Sequence, residues 1–455
     1  MKKRIHFIGI GGIGMSGVAK LFLRQGAEVS GSDIKDGKMV RALKQAGAEV
    51  FLGHSPENVR DKELVVYSSA IAEDNPELCA AREQGTTLLK RAEALAELMR
   101  EKTVITVTGS HGKTTTTSLL SHVMLEAGLT PTAAIGGILL ESGTNAMLGE
   151  GEFFVAEADE SDGSFLHYQP TYSIITNLDR EHLDYYGDSA SQAQAFSKFL
   201  EKTSDSGCAF CCGDDPGLAA ILKGYRKRLV RFGFNQDCDI LAREIRVCGF
   251  SRNFDCLYKG RSLGRFELAL AGAHNISNAL AVIAVGIELG ISPGVISGAL
   301  ASYKGARRRL EVRYKDKGYL LVDDYAHHPT EIRATLAALK ELKPRRLIAA
   351  FQPHRYTRTK LLLKEFACCF GSADKLIITD IYPAGEAPIK GIDGMSIFEE
   401  VKRHSPDQDL RFLAKEEICA QILNDLKPQD LVVTLGAGDI TKVCDELEKG
   451  LKVKG

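Results

Sequence analysis

The sequence contains no tryptophan, and its aromatic cores must be built from 19 Phe and 13 Tyr. It carries almost no net charge, -1 at pH 7. No field of one sign is therefore available to hold nucleic acid or an anionic membrane. It has no run of about 18 charge-free apolar residues, the length a membrane-spanning helix needs. The apolar stretch near its start, residues 5–23, is interrupted by His6 and five glycines. It lacks the continuous apolar segment and small-residue cleavage site of a secretory signal. Eleven cysteines is an odd number, and the C-x-x-C spacing of Cys208 and Cys211 is joined by no second such pair and no H-x-x-x-H. That argues against a zinc site; residues 207–212 read instead as a buried apolar strand. Free thiols in this number suit a reducing cytosol. There is no fixed-period repeat and no low-complexity tract. The expectation is a soluble, cytoplasmic protein with neither nucleic-acid nor membrane partners.

What is present is an ordinary globular balance, 44% hydrophobic and 26% charged in 455 residues. At roughly 100–200 residues per domain, this length allows two to four domains. Three blocks open alike, with an apolar run, a glycine- or proline-marked loop and a helix-like stretch. Residues 5–10 lead into Gly11-Gly12-Ile13-Gly14, residues 103–107 into Thr108-Gly109-Ser110-His111-Gly112-Lys113, and residues 346–351 into Gln352-Pro353-His354-Arg355. Strand, loop and helix form the α/β unit, whose ligands gather at the carboxyl ends of the strands. Further strands are expected at 28–30, 49–52, 63–67, 153–156, 172–176, 319–322, 376–379 and 431–435. The fold class is α/β with three domains, at 1–98, 99–305 and 306–455. The charged helical stretch 91–102 serves as the first linker.

The first glycine loop contains G-x-G-x-x-G from Gly9 to Gly14, with Asp33 about twenty residues beyond. This is the dinucleotide fingerprint, in which backbone N–H groups meet a diphosphate at a helix N-terminus. NAD fits it, and a UDP-sugar, with its diphosphate and ribose, fits equally. The second loop, residues 108–116, departs from the usual phosphate loop: Val107 stands where its first glycine would be. Its amides should still cradle phosphates, with Lys113 at the β/γ-phosphates and the Thr114 hydroxyl on Mg²⁺. Glu157-Ala158-Asp159-Glu160-Ser161-Asp162 follows a strand directly, where a metal ligand for Mg·ATP belongs. Residues 177–184 bring Asp179, Glu181 and His182 to the same edge. His182 is an awkward ligand for Mg²⁺, which prefers oxygen. Asn275 and Asn278 share a helix face, suited to capping or to meeting an adenine edge. Arg307-Arg308-Arg309 could stabilise transferring phosphoryl oxygens. Asp323 to Pro329 follows another strand end, and Arg355 and Arg358, three apart, could fork a small carboxylate. Gly436-Ala437-Gly438 lacks a third glycine in step and reads as a strand–helix turn.

Taken together, these segments resemble the Mur ligase family, and within it most the alanine-adding branch. The resemblance spans essentially the whole chain. Its most diagnostic part is His6-Phe7-Ile8-Gly9-Ile10-Gly11-Gly12-Ile13-Gly14-Met15-Ser16-Gly17, and residues 108–116, 157–162, 274–279, 323–331 and 351–359 agree in order and spacing. Small departures are Ser110 for a common Thr, Glu181 for a common Asp and Arg307 for a common Gly. The resemblance implies Rossmann-like N-terminal and C-terminal domains on either side of a central P-loop-type ATPase domain, the first binding a UDP-sugar, with Gly11, Gly12, Ile13, Gly14, Asp33, Ser69, Ser161 and Asp162 at that ligand. It implies ATP at Gly109, Ser110, His111, Gly112, Lys113, Thr114 and Thr115, its adenine near His274 and Asn278, and Mg²⁺ held by Thr114, Glu157 and His182. It implies Arg308 or Arg309 at the phosphates, and a mobile third domain whose Tyr325, His327, Arg355 and Arg358 lie by the incoming amino acid.

The reaction so implied belongs to peptidoglycan precursor synthesis. The carboxylate of UDP-N-acetylmuramate takes the γ-phosphoryl group of ATP, and the amine of L-alanine attacks the acyl phosphate. Lys113, Glu157, His182, Arg308 and Arg309 would be catalytic, with His327 a candidate base. A monomer or weak homodimer is expected. Two rivals stand beside this reading. A peptide-adding relative would use the same UDP-sugar, and an NAD-dependent oxidoreductase would leave Lys113 and the acidic run unused.

Overall fold

A computed structural model describes residues 3–68 and 70–454, leaving aside the side chains of Leu183, Asp184 and Lys454. Ser69 lies outside the described residues. The strands form three sheets, one in each block, as the α/β reading predicts. The N-terminal sheet contains β1 (Arg4–Ile8), β2 (Glu28–Asp33), β3 (Glu49–Leu52), β4 (Leu64–Tyr67) and β5 (Thr87–Lys90). All its pairs are parallel, in the order β3-β2-β1-β4-β5. In such an order the chain winds outward in both directions from β1, which opens a crevice at that strand's carboxyl end. The glycine loop sits there. The helix it feeds, Ile13–Arg24, buries Met15, Val18, Leu21 and Phe22 on one side, the 3.6-residue stripe of an amphipathic helix.

A buried polar cluster lies beneath that loop. The Glu77 carboxylate accepts hydrogen bonds from Asn58 Nδ2 (2.6 Å), His54 Nδ1 (2.8 Å) and the Ser32 hydroxyl, and His6 Nε2 stands 3.5 Å away. The Ser32 carbonyl in turn accepts from the amides of Gly9 (2.9 Å) and Ile10 (3.0 Å). Burial acts to raise the Glu77 carboxyl, but hydrogen bonds from His6, Ser32 and Asn58 outweigh it and hold it down at about 2. A carboxylate lowered on folding contributes stability that is present above its unfolded value near 4.5 and is lost as pH falls toward 2. Glu77→Gln should therefore cost on the order of 1–3 kcal/mol at neutral pH. The gap in unfolding midpoint between variant and wild type should narrow on acidification below about pH 4.5. A gap that stays constant from pH 7 to 3 would contradict this.

The central sheet contains β6 (Thr103–Thr108), β7 (Thr132–Ala134), β8 (Ala146–Met147), β9 (Phe153–Glu157), β10 (Tyr172–Ile175), β11 (Cys208–Cys212), β12 (Leu229–Gly233), β13 (Ile240–Cys248), β14 (Ser251–Tyr258) and β15 (Arg261–Leu268). Its order is β15-β14-β13-β12-β11-β10-β6-β9-β7-β8. The phosphate-loop strand β6 lies between β10 and β9, parallel to both, so the loops after all three strands converge. The cysteine-rich segment is β11, buried throughout. Burial pushes its Cys208 thiol up to about 11 and that of Cys211 higher still.

The C-terminal sheet contains β16 (Glu311–Asp316), β17 (Tyr319–Asp324), β18 (Arg346–Phe351), β19 (Lys375–Ile378), β20 (Asp409–Phe412) and β21 (Asp430–Leu435), in the order β16-β17-β21-β18-β19-β20. Only β16 runs antiparallel to its neighbour. Alternation along β18 sends Leu347, Ala349 and Phe351 into one core and Ile348 and Ala350 into the other. Helices cover both faces, as a buried parallel sheet requires.

The chain divides into two compact units. One comprises Met1–Arg243, Asp255–Phe266 and Ser277–Lys304, and the other Glu244–Phe254, Glu267–Ile276 and Gly305–Gly455. Within the second unit, Arg252 is fully buried. It donates to Glu341 Oε2 (2.6 Å) and to the carbonyls of Gly249 (2.9 Å) and Ser251 (3.0 Å), while Phe250 packs on the core of the C-terminal sheet. No helix among the described residues is long and apolar enough to cross a membrane.

Candidate active site

The phosphate loop is a strained turn that only glycine allows. Gly109 has φ +128°, and a Cβ there would lie 2.2 Å from Thr176 Oγ1. The loop is tied to the segment after β10. The Ser110 hydroxyl accepts from the Asp179 amide (2.9 Å) and donates to the Asp179 carbonyl (3.2 Å). The His111 amide donates to Asn177 Oδ1 (2.8 Å), and the His111 ring lies 3.1 Å from Asp179 Oδ2. Serine thus does here all that a threonine hydroxyl could. The helix Lys113–Glu126 then begins with Thr114 and Thr115 buried.

Lys113 Nζ donates to the carbonyls of Gly109 (2.6 Å) and Ser110 (3.1 Å) and pairs with Glu160 Oε1 at 2.8 Å. Burial works against its charge, but Glu160, Asp159 and Glu157 around it hold the ammonium firmly protonated. Glu160 is buried, with Asp159 and Glu181 nearby, and is pushed up to about 8 against the pull of Lys113. Its Oε2 has no hydrogen-bond partner among the described residues.

Two carboxylate groupings flank this lysine. In the first, Glu157 Oε2 accepts from Thr114 Oγ1 (2.9 Å) and from the Gly136 amide (2.9 Å). A Cβ on Gly136 would fall 2.4 Å from the same oxygen, so only glycine lets that amide approach. In the second, Glu160, Glu181 and His182 bring ligand atoms within 4.8 Å of one another. The structure therefore joins Thr114 to Glu157 but groups His182 with Glu160 and Glu181. His182 has φ +57°, a left-handed backbone rare outside glycine. An orphaned carboxylate oxygen beside further hard oxygen donors fits a divalent cation of the Mg²⁺ type.

The N-terminal loop faces the same region. Gly11 N–H donates to Asp33 Oδ2 (2.9 Å), so this carboxylate braces the glycine turn. A Cβ on Gly14 would sit 2.7 Å from Arg91 Nη1. Asn145, buried, donates to the Ile13 carbonyl and Ser16 Oγ (3.3 Å) and accepts from Lys20 Nζ (3.1 Å). These contacts clasp the loop's helix to the central sheet. A cleft of about 320 Å³ runs from Gly9, Gly12 and Gly14 to Glu157 and Asp159. Ser161 and Asp162 are absent from its lining. The Ser161 amide donates to Asp159 Oδ1 (3.0 Å), and Asp162 accepts from the Ser164 amide (3.1 Å).

Asn278 Oδ1 lies against Gly112, 2.7 Å from where a Cβ would stand. The helix that carries it runs Ala273–Glu288, so Asn275 and Asn278 both lie in its opening turns. Positive φ at Gly272 (+93°) breaks the chain just ahead of that start, and His274 packs by Gly272. Asn275 does not cap this helix in the expected sense: its Nδ2 donates back to the Ala271 carbonyl (2.7 Å).

In the second unit the two arginines after Arg307 separate. Arg308 Nε stands 3.3 Å from the buried Asp323, and its other nitrogens donate to the carbonyls of Gly436 and Gly438 (3.1 Å). It thus ties the turn after β21 to the end of β17. Arg309 lies over the Tyr325 ring at 5.0 Å with its nearest acid, Glu331, at 3.9 Å. Arg308→Ala should lower stability by about 3–5 kcal/mol, because it leaves the Asp323 charge buried without its cation. Arg309→Ala should leave the unfolding midpoint nearly unchanged and depress turnover. Equal effects of the two on the melting curve would contradict this division.

His327 Nδ1 lies 3.0 Å from the Tyr325 carbonyl. A carbonyl only accepts, so that nitrogen carries a hydrogen. Arg358 Nη1 donates to the His354 carbonyl (3.2 Å), and Arg355 Nε stands 3.9 Å from Glu386. His354 stacks on Tyr382; burial, His327 and the arginines push its ring down to about 3, so it stays neutral.

Family models match the chain in three consecutive stretches: the Mur ligase family catalytic domain at residues 4–103, the Mur ligase middle domain at 107–286 and the Mur ligase glutamate ligase domain at 308–438. The chain belongs to the Mur ligase family. It is 47% identical over 451 residues to the UDP-N-acetylmuramate–L-alanine ligase of Geotalea uraniireducens, covering 99% of this chain and 98% of the relative. It is 47% identical over 441 residues to the enzyme of the same name from Geobacter sulfurreducens, covering 96% and 95%. The crystal structure of UDP-N-acetylmuramate-alanine ligase from Thermotoga maritima superposes with TM-score 0.85 at 30% identity, over 99% of this chain and 100% of that one. This Mur ligase is thus an enzyme that forms bonds, and the oxidoreductase reading of its first glycine loop falls away. Arg91, Gly136 and Asn145 were missing from the expected site, and Glu160 stood there only within the acidic run 157–162. The Gly136-Gly137 doublet was a visible signal for one of them; Arg91 was hidden in a stretch read as a linker.

Proposed function

We propose that this ligase joins L-alanine to the carboxylate of UDP-N-acetylmuramate, driven by ATP with Mg²⁺ through an acyl phosphate. The single observation that carries the reading is the cleft running from the first glycine loop to Glu157 and Asp159. A UDP-sugar seated on Gly11, Gly12, Ile13 and Gly14, with Asp33 bracing that turn, extends its acid along this cleft toward the Thr114–Glu157 pair. Gly109 to Thr115 cradle the triphosphate, and Asn278, with His274 on the same helix, serves the adenine. Lys113 gives up Glu160 for the β/γ-phosphates. Thr114 and Glu157 would hold Mg²⁺, with His182, Glu160 and Glu181 as a neighbouring group. Bound Mg²⁺ neutralises charge on the transferring phosphoryl group. The phosphoryl-group role falls to Arg309 in this reading, because Arg308 is taken up by Asp323 and the Gly436 and Gly438 carbonyls. Tyr325, Arg355 and Arg358 surround the amino acid, and His327 Nε2 takes a proton from its amine. The domain borders belong near 98 and 305.

The test is isotopic. UDP-N-acetylmuramate carrying ¹⁸O in its carboxylate should transfer one label into inorganic phosphate, and phosphate release should need both the sugar and L-alanine. Unlabelled phosphate would overturn the acyl-phosphate route. Turnover with a tripeptide but not with L-alanine would move the chain to the peptide-adding branch.

A further inference from the structure

Of the described residues that line the cleft, Arg91 alone carries positive charge, while Glu157 and Asp159 carry negative charge. A substrate acid entering here meets two carboxylates, a repulsion that a partly dry cleft strengthens. Glycine amides can serve the diphosphate, but they do nothing for a carboxylate farther along the cleft. Lys113 is already set among the carbonyls of Gly109 and Ser110 and the Glu160 carboxylate.

Arg91 spans the gap. Its Nη1 lies against Gly14, and its Nη2 reaches Asp159 Oδ2 at 3.7 Å. That contact is single and long, far from the paired 2.7–2.9 Å geometry of a guanidinium that grips a carboxylate. The fork is thus oriented toward the reaction centre without being consumed by Asp159. Its side chain is 27% exposed, and it begins the helix Arg91–Met99, whose Ala92, Leu95, Leu98 and Met99 are buried. The base of the fork is therefore fixed.

We propose that the Arg91 guanidinium binds the sugar-borne carboxylate and aims it at the phosphate loop. This rests on the reaction proposed above. Asp159 holds the fork in place in the free protein and yields it when the substrate acid arrives. The planar fork matters, so lysine, a point charge, is a poor substitute.

The experiment compares UDP-N-acetylmuramate with UDP-N-acetylglucosamine, which has the same diphosphate and sugar but no acid. Arg91→Ala should raise the KM for UDP-N-acetylmuramate at least tenfold, with Arg91→Lys between it and wild type. Inhibition by UDP-N-acetylglucosamine and binding of Mg·ATP should stay within twofold. Gly14→Ala, whose Cβ would displace the fork, should move the same KM in the same direction. Equal weakening of both UDP-sugars by Arg91→Ala would assign Arg91 to the diphosphate and overturn the proposal, as would no change in either. Failure of the wild-type protein to use UDP-N-acetylmuramate at all would instead overturn the underlying reaction.

Discussion

Replacing Lys113 with alanine lowers turnover by on the order of 10³-fold, while binding of the UDP-sugar stays within about twofold. The reason is local. Lys113 is ringed by Glu157, Asp159 and Glu160, and it is the cation that the phosphate-loop helix itself supplies. Without it, Glu157 and Asp159 face the triphosphate unopposed. The folded state should tolerate the change, because Glu160 is pushed up to about 8 even with the lysine present. Once the lysine is gone Glu160 stays protonated at neutral pH and adds no bare buried charge. Turnover assays alongside titration of UDP-N-acetylmuramate and a thermal melt make the check. Substantial remaining activity would remove the ATP assignment, whereas a collapsed melting curve would place Lys113 in the fold rather than in the chemistry.

The second large effect belongs to Glu157. Glutamine keeps the shape and an oxygen to accept from Thr114 Oγ1 and the Gly136 amide, so the loop geometry survives. Only the negative charge disappears. Turnover should fall by about 10²–10³-fold, and the Mg²⁺ concentration for half-maximal rate should rise, since a hard cation loses an anionic ligand. Nucleotide binding measured without Mg²⁺ should be unchanged or tighter. An unaltered Mg²⁺ requirement would mean that the metal belongs to Glu160, Glu181 and His182 instead.

Much of the architecture could be read from the chain because strand, loop and helix signals agreed in each block. Residues 5–10, 103–107 and 346–351 all open α/β units, and the cysteine-rich segment is the buried strand its apolar run indicated. Phosphate-loop chemistry was legible as well, since Gly112, Lys113 and Thr114 are neighbours in sequence. Contacts made across the fold were not. Nothing in the order of residues says that Arg308 is absorbed by Asp323 and the Gly436 and Gly438 carbonyls, or that His182 sits with Glu160 and Glu181. Arg91 and Asn145 gain their meaning only when the first two sheets are brought together around one cleft.

The interleaved course of the chain has a practical outcome for anyone dissecting this ligase. The second compact unit takes in residues 244–254 and 267–276 from the middle of the sequence. A fragment begun at residue 305 would lack Arg252, the partner of Glu341, and Phe250 and Ala271, which pack on its core. No single cut frees either unit whole. Isolating the second one means grafting those two strips back on.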